Sequence, residues 1–172
     1  MWAGRNCPAR FVSRSLLRQN PTDAGNPHFQ LASSLMNRLS RSEISEDLQK
    51  IPPGELRQRV FEVYHNLSDW LLTRGDSEIE KHYAELGARR ATQKVPLSVQ
   101  LAALTGAKHH LWEFVRREEL IGERCDLYQE LELLQLVDNF FDRAMFFTAQ
   151  GYERETARAA AIREAVYARL SR

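Results

Sequence analysis

The sequence predicts an all-α protein: an antiparallel helical bundle or a globin-like arrangement, with a C-terminal extension helix. Three observations carry this. Apolar residues recur at steps of three and four over long stretches, as in Leu97, Leu101, Leu104, Lys108, Leu111, Trp112 and Val115, with only the Lys108 stem interrupting. No run alternates apolar and polar residues as a half-buried strand would. Only eight Gly and six Pro occur among 172 residues, too few for a chain rich in turns.

Composition narrows the class further. With 43% hydrophobic and 27% charged residues the chain is an ordinary globular sequence, long enough for one domain with a substantial core. A net charge of +1 favours neither nucleic acid nor an anionic membrane surface. No apolar run approaches the ~20 residues of a membrane helix. Cys7 and Cys125 are too few for a disulfide framework, which places the expected setting in a reducing cytoplasm.

Taken in order, the chain divides at about residues 35 and 152. Residues 1–35 carry Arg5, Arg10, Arg14 and Arg18 against the single acid Asp23, and Asn20-Pro21, Gly25 and Asn26-Pro27 break any pattern. A disordered basic tail is expected there, with an organellar transit peptide, or a true start at Met36, as alternatives. A sensor-like helical domain follows over 36–152. Residues 40–50 predict a short helix, with Ser42 or Ser45 as N-cap and Ile44 and Leu48 as its apolar side. Pro52-Pro53-Gly54 interrupts the chain. A long helix then runs from about Glu55 to Arg74 on the stripe Leu56, Val60, Val63, Tyr64, Leu67, Trp70 and Leu71, with Gly75 expected as its C-terminal cap. The next, from about Glu78 to Gln93, carries Ile79, Tyr83, Leu86 and Gly87, with Arg90 continuing the stripe. Pro96 opens the third, because its missing N–H is unpaired in a first turn anyway; that helix fades at Gly122. The last begins near Asp126 and is apolar on two sides, through Leu127, Leu131, Leu134, Phe141 and Met145 on one and Leu133, Val137, Phe140, Ala144 and Phe147 on the other. Residues 153–172 form a connector or dimerisation tail in which Ala159, Ile162, Val166 and Leu170 fall at steps of three, four and four, a narrow coiled-coil-like seam. Gly151 costs only about 1 kcal/mol inside a helix, so the tail can continue the helix before it.

Tyr83-x-x-Leu86-Gly87-x-x-Arg90-Ala91, then Pro96-Leu97, Leu111-Trp112-Glu113-Phe114, Phe140-Phe141-Asp142-Arg143-Ala144 and Gly151-Tyr152 together resemble the RsbRD N-terminal domain family. The resemblance covers about Glu55 to Tyr152. It implies an α-helical, non-catalytic input module of bacterial signalling proteins, placed ahead of a STAS domain of stressosome proteins or a histidine-kinase domain. A related group of stressosome input domains is globin-like, free of haem and dimeric. The family's module is followed by an output domain, whereas this sequence runs only to Arg172, so the tail from Glu153 is expected to be a connector or a docking helix.

Candidate sites are sparse. Glu62-x-x-His65 has the spacing of a di-iron carboxylate helix, but such a site needs a second Glu-x-x-His and two more glutamates; Glu78-x-x-x-His82 is out of step, and a solvent-facing pair is the expectation. His109 and His110 invite haem ligation, which requires one imidazole in an apolar pocket; both are expected to flank the buried stripe. Arg90 is a candidate for gripping a carboxylate ligand, against the commoner outcome of a salt bridge to Asp142 or Glu113. Tyr83, Arg90, Trp112 and Phe140 make up the candidate ligand-binding set, weighed against a core role for the aromatics. Trp112 is expected to be core. Asp138, Asp142 and Arg143 are expected to pair locally. No phosphate loop, nucleophile elbow, Cys-x-x-Cys or H-E-x-x-H motif occurs, so no catalytic residue, metal or cofactor is expected. The expected partners are a second copy of the chain, through Phe141, Ala159, Ile162, Val166 and Leu170, and a STAS-domain or histidine-kinase protein. In the competing arrangement the tail folds back as a fifth helix of a monomer.

Overall fold

The computed structural model describes residues 27–73, 75–117 and 127–170. These are all-α: six helices, α1 (Pro27–Leu39), α2 (Ser45–Leu48), α3 (Pro53–Thr73), α4 (Asp76–Thr92), α5 (Leu97–Arg117) and α6 (Leu127–Leu170), with no strand among the described residues.

The boundary expected at residue 35 falls inside α1. Pro27 opens a helix here rather than ending a pattern, and Leu31, Ala32, Leu35 and Leu39 line its buried side. This face packs on α3 and α5, and Leu31 and Leu35 are each only 1% exposed. Residues 1–26 of the expected tail lie outside the described residues. The single turn α2 buries Leu48, without the expected side-chain cap: Ile44 precedes it, and the Ser42 hydroxyl donates to the Leu39 carbonyl instead.

Pro53 is the first residue of α3, so the Pro-Pro-Gly element starts a helix as well as stopping the chain. Val60, Val63, Tyr64, Leu67, Trp70 and Leu71 are buried as their spacing predicts. The Tyr64 hydroxyl donates to the Ala107 carbonyl of α5. Gly75 is not the cap expected after α3. Its φ of −87° and ψ of 118° are extended, and it sits at the position before α4.

Helix α4 ends in a Schellman motif: Val95 N donates to Arg90 O and Lys94 N to Ala91 O. Lys94 occupies the left-handed position at φ 57°, where glycine is usual. Val95, fully buried, anchors the exit. Helix α5 buries Val99, Gln100, Leu104, Ala107, His110, Leu111, Phe114 and Val115. Trp112, expected as core, is half-buried and rests against the core's edge. It lies one step off the line of Leu104, Ala107 and Leu111.

Helix α6 runs unbroken for 44 residues, about 66 Å at 1.5 Å per residue. Its closest and most extensive partner is α4. Two glycines set that approach. A Cβ on Gly87 would lie 2.0 Å from the Thr148 carbonyl oxygen, and one on Gly151 would lie 2.0 Å from that of Ala84. Ala84 opposite Gly151, and Gly87 opposite Thr148, also show that the two helices run antiparallel. Leu133, Leu136, Val137, Phe140, Phe141 and Ala144 of α6 are buried, with Phe140 edge-on to both Tyr83 and Phe141 and tilted against Trp70. The side of Leu133, Val137, Phe140 and Ala144 is therefore covered, and the other expected side is split: Phe141 is buried and Met145 packs on the core, while Leu131 and Leu134, and Phe146 beside them, are 47%, 41% and 59% exposed. From Thr156 to Leu170 every residue is exposed, so the tail projects from the domain and does not fold back onto it.

Candidate functional site

The ligand-binding set expected from the sequence is only partly assembled. Tyr83 and Phe140 meet, their ring centroids 6.0 Å apart, but both are fully buried, and they belong to the core. Burial pushes the Tyr83 hydroxyl well above the ordinary tyrosine range. Trp112 stands apart from them on α5.

Arg90 is 1% exposed and its grip is filled from within the chain. Nη1 donates to Glu55 Oε1 at 2.7 Å and to Gln93 Oε1 at 2.5 Å, Nε donates to Gln100 Oε1 at 3.2 Å, and Gln93 Nε2 donates to Glu55 Oε2 at 3.0 Å. The network ties the start of α3 to the end of α4 and the first turn of α5. Its acid is neither Asp142 nor Glu113, the two partners expected; Glu113 binds Arg38 of α1 at 2.6 Å. Burial raises the Glu55 pKa, but the Arg90 and Gln93 hydrogen bonds and the arginine charges outweigh it and hold the carboxyl below its usual range. Burial also lowers the Arg90 pKa, against Glu55. Arg90 is thus a structural cation, unavailable to a ligand carboxylate.

The histidines separate. His65 is exposed and near Asp69 at 3.4 Å, and His109 is exposed. Glu62 takes hydrogen bonds from Gln58 and Arg59, with His82 Nε2 3.8 Å away. His110 does not flank the stripe but belongs to it: 8% exposed, with Nε2 2.7 Å from Ser34 Oγ across the α1–α5 contact. Burial lowers its pKa. Among the described residues no group of three or more His, Cys, Asp or Glu side chains is placed to hold a metal ion. Asp138 pairs with Lys108 of α5 at 2.9 Å rather than locally, and the Arg143 guanidinium lies over the Phe147 ring.

Two features remain exposed. One is a cleft of about 230 Å³ where the end of α3 meets the start of α4, lined by Asn66, Asp69, Trp70, Glu78, Ile79 and His82 together with Thr73 and Gly75. Sequence reasoning missed it. Its polar residues are each unremarkable alone, and only the hairpin brings them together. The other is the projecting half of α6. Ala159 is exposed, as are Ile162, Val166 and Leu170 at 56%, 50% and 78%. Phe141, expected beside them at an interface, is fully buried inside the protomer, because it lies on the α6 side turned to the core.

Ala144, Thr148, Gly151, Glu155, Ala159, Ile162, Val166 and Leu170 follow one another at steps of three and four, so they share one side of α6. The upper part of this stripe packs against α4, and the lower part runs on beyond it. The arrangement is a closed helical domain with a helix carried out of it. No helix of the described residues is long and apolar enough to cross a membrane. No curated protein and no solved structure shows significant similarity to the chain. A family model described as the RsbT co-antagonist protein rsbRD N-terminal domain, however, matches residues 30–166, from the buried face of α1 into the projecting tail. The chain belongs to this rsbRD N-terminal domain family.

Proposed function

We propose that the chain is a non-catalytic input module of a bacterial signalling system, working as a two-fold homodimer whose contact is made by α6. The observation that carries this is the tail: Ile162, Val166 and Leu170 stand exposed on a helix that leaves its own domain. Their seam is the continuation of the stripe that α4 already covers, so a second helix laid along it extends an existing packing surface. The seam is about two heptads long, too short for a stable coiled coil alone. Leu131, Leu134 and Phe146, also exposed on α6, supply further apolar area for a larger contact. A parallel two-fold pairing brings both tails to one side. There they can pass a small helix shift to a STAS-domain or histidine-kinase partner, the output that the family resemblance implies. The antiparallel α4–α6 pairing supports the bundle or globin-like arrangement expected of such a module.

Light scattering on the full chain tests the reading. The wild type should run as a dimer at high micromolar concentration. Ile162→Glu with Val166→Glu should give monomers of unchanged helicity within the domain. A wild type that is already monomeric at that concentration sinks the proposal.

A further inference from the structure

We propose that His110 is a proton-operated latch between α1 and α5: protonating its ring draws the Glu113 carboxylate away from Arg38 and loosens α1 on the domain. This deepens the input-module reading by naming a signal, acidification. It rests on that reading for its purpose but not for its chemistry.

Four side chains make up the latch. Ser34 and Arg38 come from α1, and His110 and Glu113, three residues apart, from α5. Ser34 Oγ lies 2.7 Å from His110 Nε2, and Arg38 Nη1 donates to Glu113 Oε2 at 2.6 Å. Both contacts cross from one helix to the other.

The hydrogen-bond partners decide where the ring carries its proton. The Ser34 hydroxyl donates to backbone carbonyls, Gln30 O at 2.8 Å and Leu31 O at 3.2 Å. Its only proton is therefore taken, and towards the ring its oxygen accepts. The neutral imidazole then carries its proton on Nε2 and leaves Nδ1 bare. Nδ1 is buried without a partner. A bare nitrogen tolerates this better than an N–H would, because a buried donor left unpaired is costly.

A second proton has to sit on Nδ1 and then needs an acceptor. The carboxylate in reach is Glu113, with Oε2 3.9 Å away and held by Arg38. To reach charge-assisted hydrogen-bond distance that oxygen must close in by about 1 Å. Glu113 is 47% exposed and free to swing along its own helix. Turned to His110, it pairs within α5, and the tie to α1 is given up.

The surrounding charges set the direction of the response. Arg38 faces the ring from α1, and Glu113, Arg116, Arg117 and the exposed His109 share α5 with it. The Arg117 guanidinium lies 5.5 Å from the Phe114 ring centroid. Helix α3 contributes Tyr64, which donates to the Ala107 carbonyl and is kept protonated by burial. His28 of α1 and Glu118 and Glu119 after α5 are further titratable neighbours in the sequence; their side chains lie outside the described residues. Burial, Arg38 and Arg117 disfavour the charged ring and outweigh Glu113 and the Leu31 carbonyl, which favour it. The folded pKa thus lies below the unfolded value of about 6.5. The latch holds fully above that value and weakens as pH falls towards the folded one.

The test follows the histidine ring signals of the full chain by NMR between about pH 7.5 and about pH 5, with His110 identified by its loss in His110→Gln. Amide hydrogen exchange, corrected for its intrinsic pH dependence, is measured alongside. His110 should titrate below the ordinary histidine range. Protection of Leu31, Leu35 and Leu39 should begin to fall near pH 6.5 and drop by up to about tenfold at about pH 5.5, the ceiling for a group of that unfolded pKa. Helices α4 and α6 should keep theirs. Arg38→Gln should raise the His110 midpoint and Glu113→Gln should lower it; both positions are about half exposed, so the fold stays. His110→Gln, whose amide still reaches Ser34, should abolish the pH dependence of α1, and His28→Gln should leave it. If His110→Gln does not fold, the two midpoint shifts decide. The proposal is overturned if His110 titrates at or above the ordinary value, if neither neighbouring variant moves its midpoint, if α4 and α6 lose protection by the same factor as α1, or if His110→Gln keeps the response. Light scattering on the same samples separates the two readings. A dimer whose α1 ignores pH refutes the latch alone, and a monomer whose α1 loosens in acid refutes the dimeric module alone.

Discussion

Replacing Gly87 by alanine should destabilise the protein even though alanine is the better helix former. In an exposed helix interior the exchange gains about 1 kcal/mol. Here the new Cβ would lie 2.0 Å from the Thr148 carbonyl oxygen and 2.9 Å from the Tyr152 nitrogen. Both are backbone atoms and cannot rotate aside. Since ordinary contact begins near 3.4 Å, α4 and α6 must part by more than 1 Å at their closest point. A gap of that size forfeits up to about half the dispersion attraction across the contact. Overpacking of this kind typically costs up to about 3 kcal/mol, so the net loss should be about 2 kcal/mol, or some 4–8 °C in melting temperature for a chain of this length. Gly151→Ala, whose Cβ would meet Ala84 O at 2.0 Å, should behave alike. The double variant should cost clearly less than the sum, because both clashes are relieved by the same separation. Gly54→Ala is the control: nothing lies within 4 Å of its Cβ position. Urea unfolding of the four variants decides the matter. If Gly87→Ala stabilises the chain as Gly54→Ala does, α4 and α6 do not pack backbone to backbone and the account of their crossing is wrong.

Lys94→Gly should stabilise the protein by about 1 kcal/mol, measured by the same unfolding curves, because Lys94 holds φ 57° at the Schellman position. Starting the chain at Met36 removes the buried Leu31 and Leu35; at about 2 kcal/mol or more for each buried leucine, cooperative unfolding should weaken or vanish, which a disordered tail over all of residues 1–35 would not produce. Glu55→Ala strands the buried Arg90 charge and should cost about 3 kcal/mol. Acid stability follows from the same residue. Its folded-state pKa lies below the unfolded value, so the stabilisation is present above the unfolded pKa and is lost as pH falls through the folded one. A melting series from neutral pH down should show that loss in the wild type and less of it in Glu55→Gln. His110 acts in the same direction at higher pH: its folded pKa is lowered by burial, so its contribution declines as pH falls below its unfolded pKa of about 6.5.

What the sequence revealed and what it hid divide along one physical line. Periodicity reports which residues of a helix are buried, so the stripe of α3 and the start of α6 were readable to within a few residues, whereas on α5 the buried face is turned from the expected one: it takes in Val99, Gln100, Ala107, His110 and Phe114 and leaves Leu97, Leu101 and Trp112 half-buried. It does not report what buries them. The signal for α1 was present, since Leu31, Leu35 and Leu39 step by four, but Asn26-Pro27 read as a break and outweighed it. Proline can open a helix as well as end one. Arg90 continued a stripe and was correctly suspect as a buried cation, while its partner Glu55 sits 35 residues earlier and only folding joins them. On α6 the apolar composition marked two sides without saying what covers either. The domain covers one together with Phe141 and Met145 of the other, and Leu131, Leu134 and Phe146 are what it leaves exposed. Gly87 and Gly151 carried no local signal beyond helix weakness, because a close approach is a property of two helices and not of either alone. The cleft was illegible for the same reason: Asp69 and Glu78 come from different helices, and the turn around Gly75 places them on one concavity.

The continuity of α6 links the domain to its tail mechanically. From Leu127 to Leu170 the helix has no proline, and its one glycine is locked against Ala84 rather than left as a hinge. A rotation or slide of α6 against α4 is therefore carried along the same rod to Ile162, Val166 and Leu170, with no flexible joint to absorb it. Reciprocal glycines also make the crossing shallow in side chains, so small relative movements meet backbone at once and only discrete seatings are comfortable. A seam outside the domain that continues a tightly seated one inside it is consequently sensitive to that seating. The cleft at the α3–α4 hairpin adjoins the first turn of α4, the moving partner in such a shift, and Trp70 touches both the cleft and Phe140 of α6.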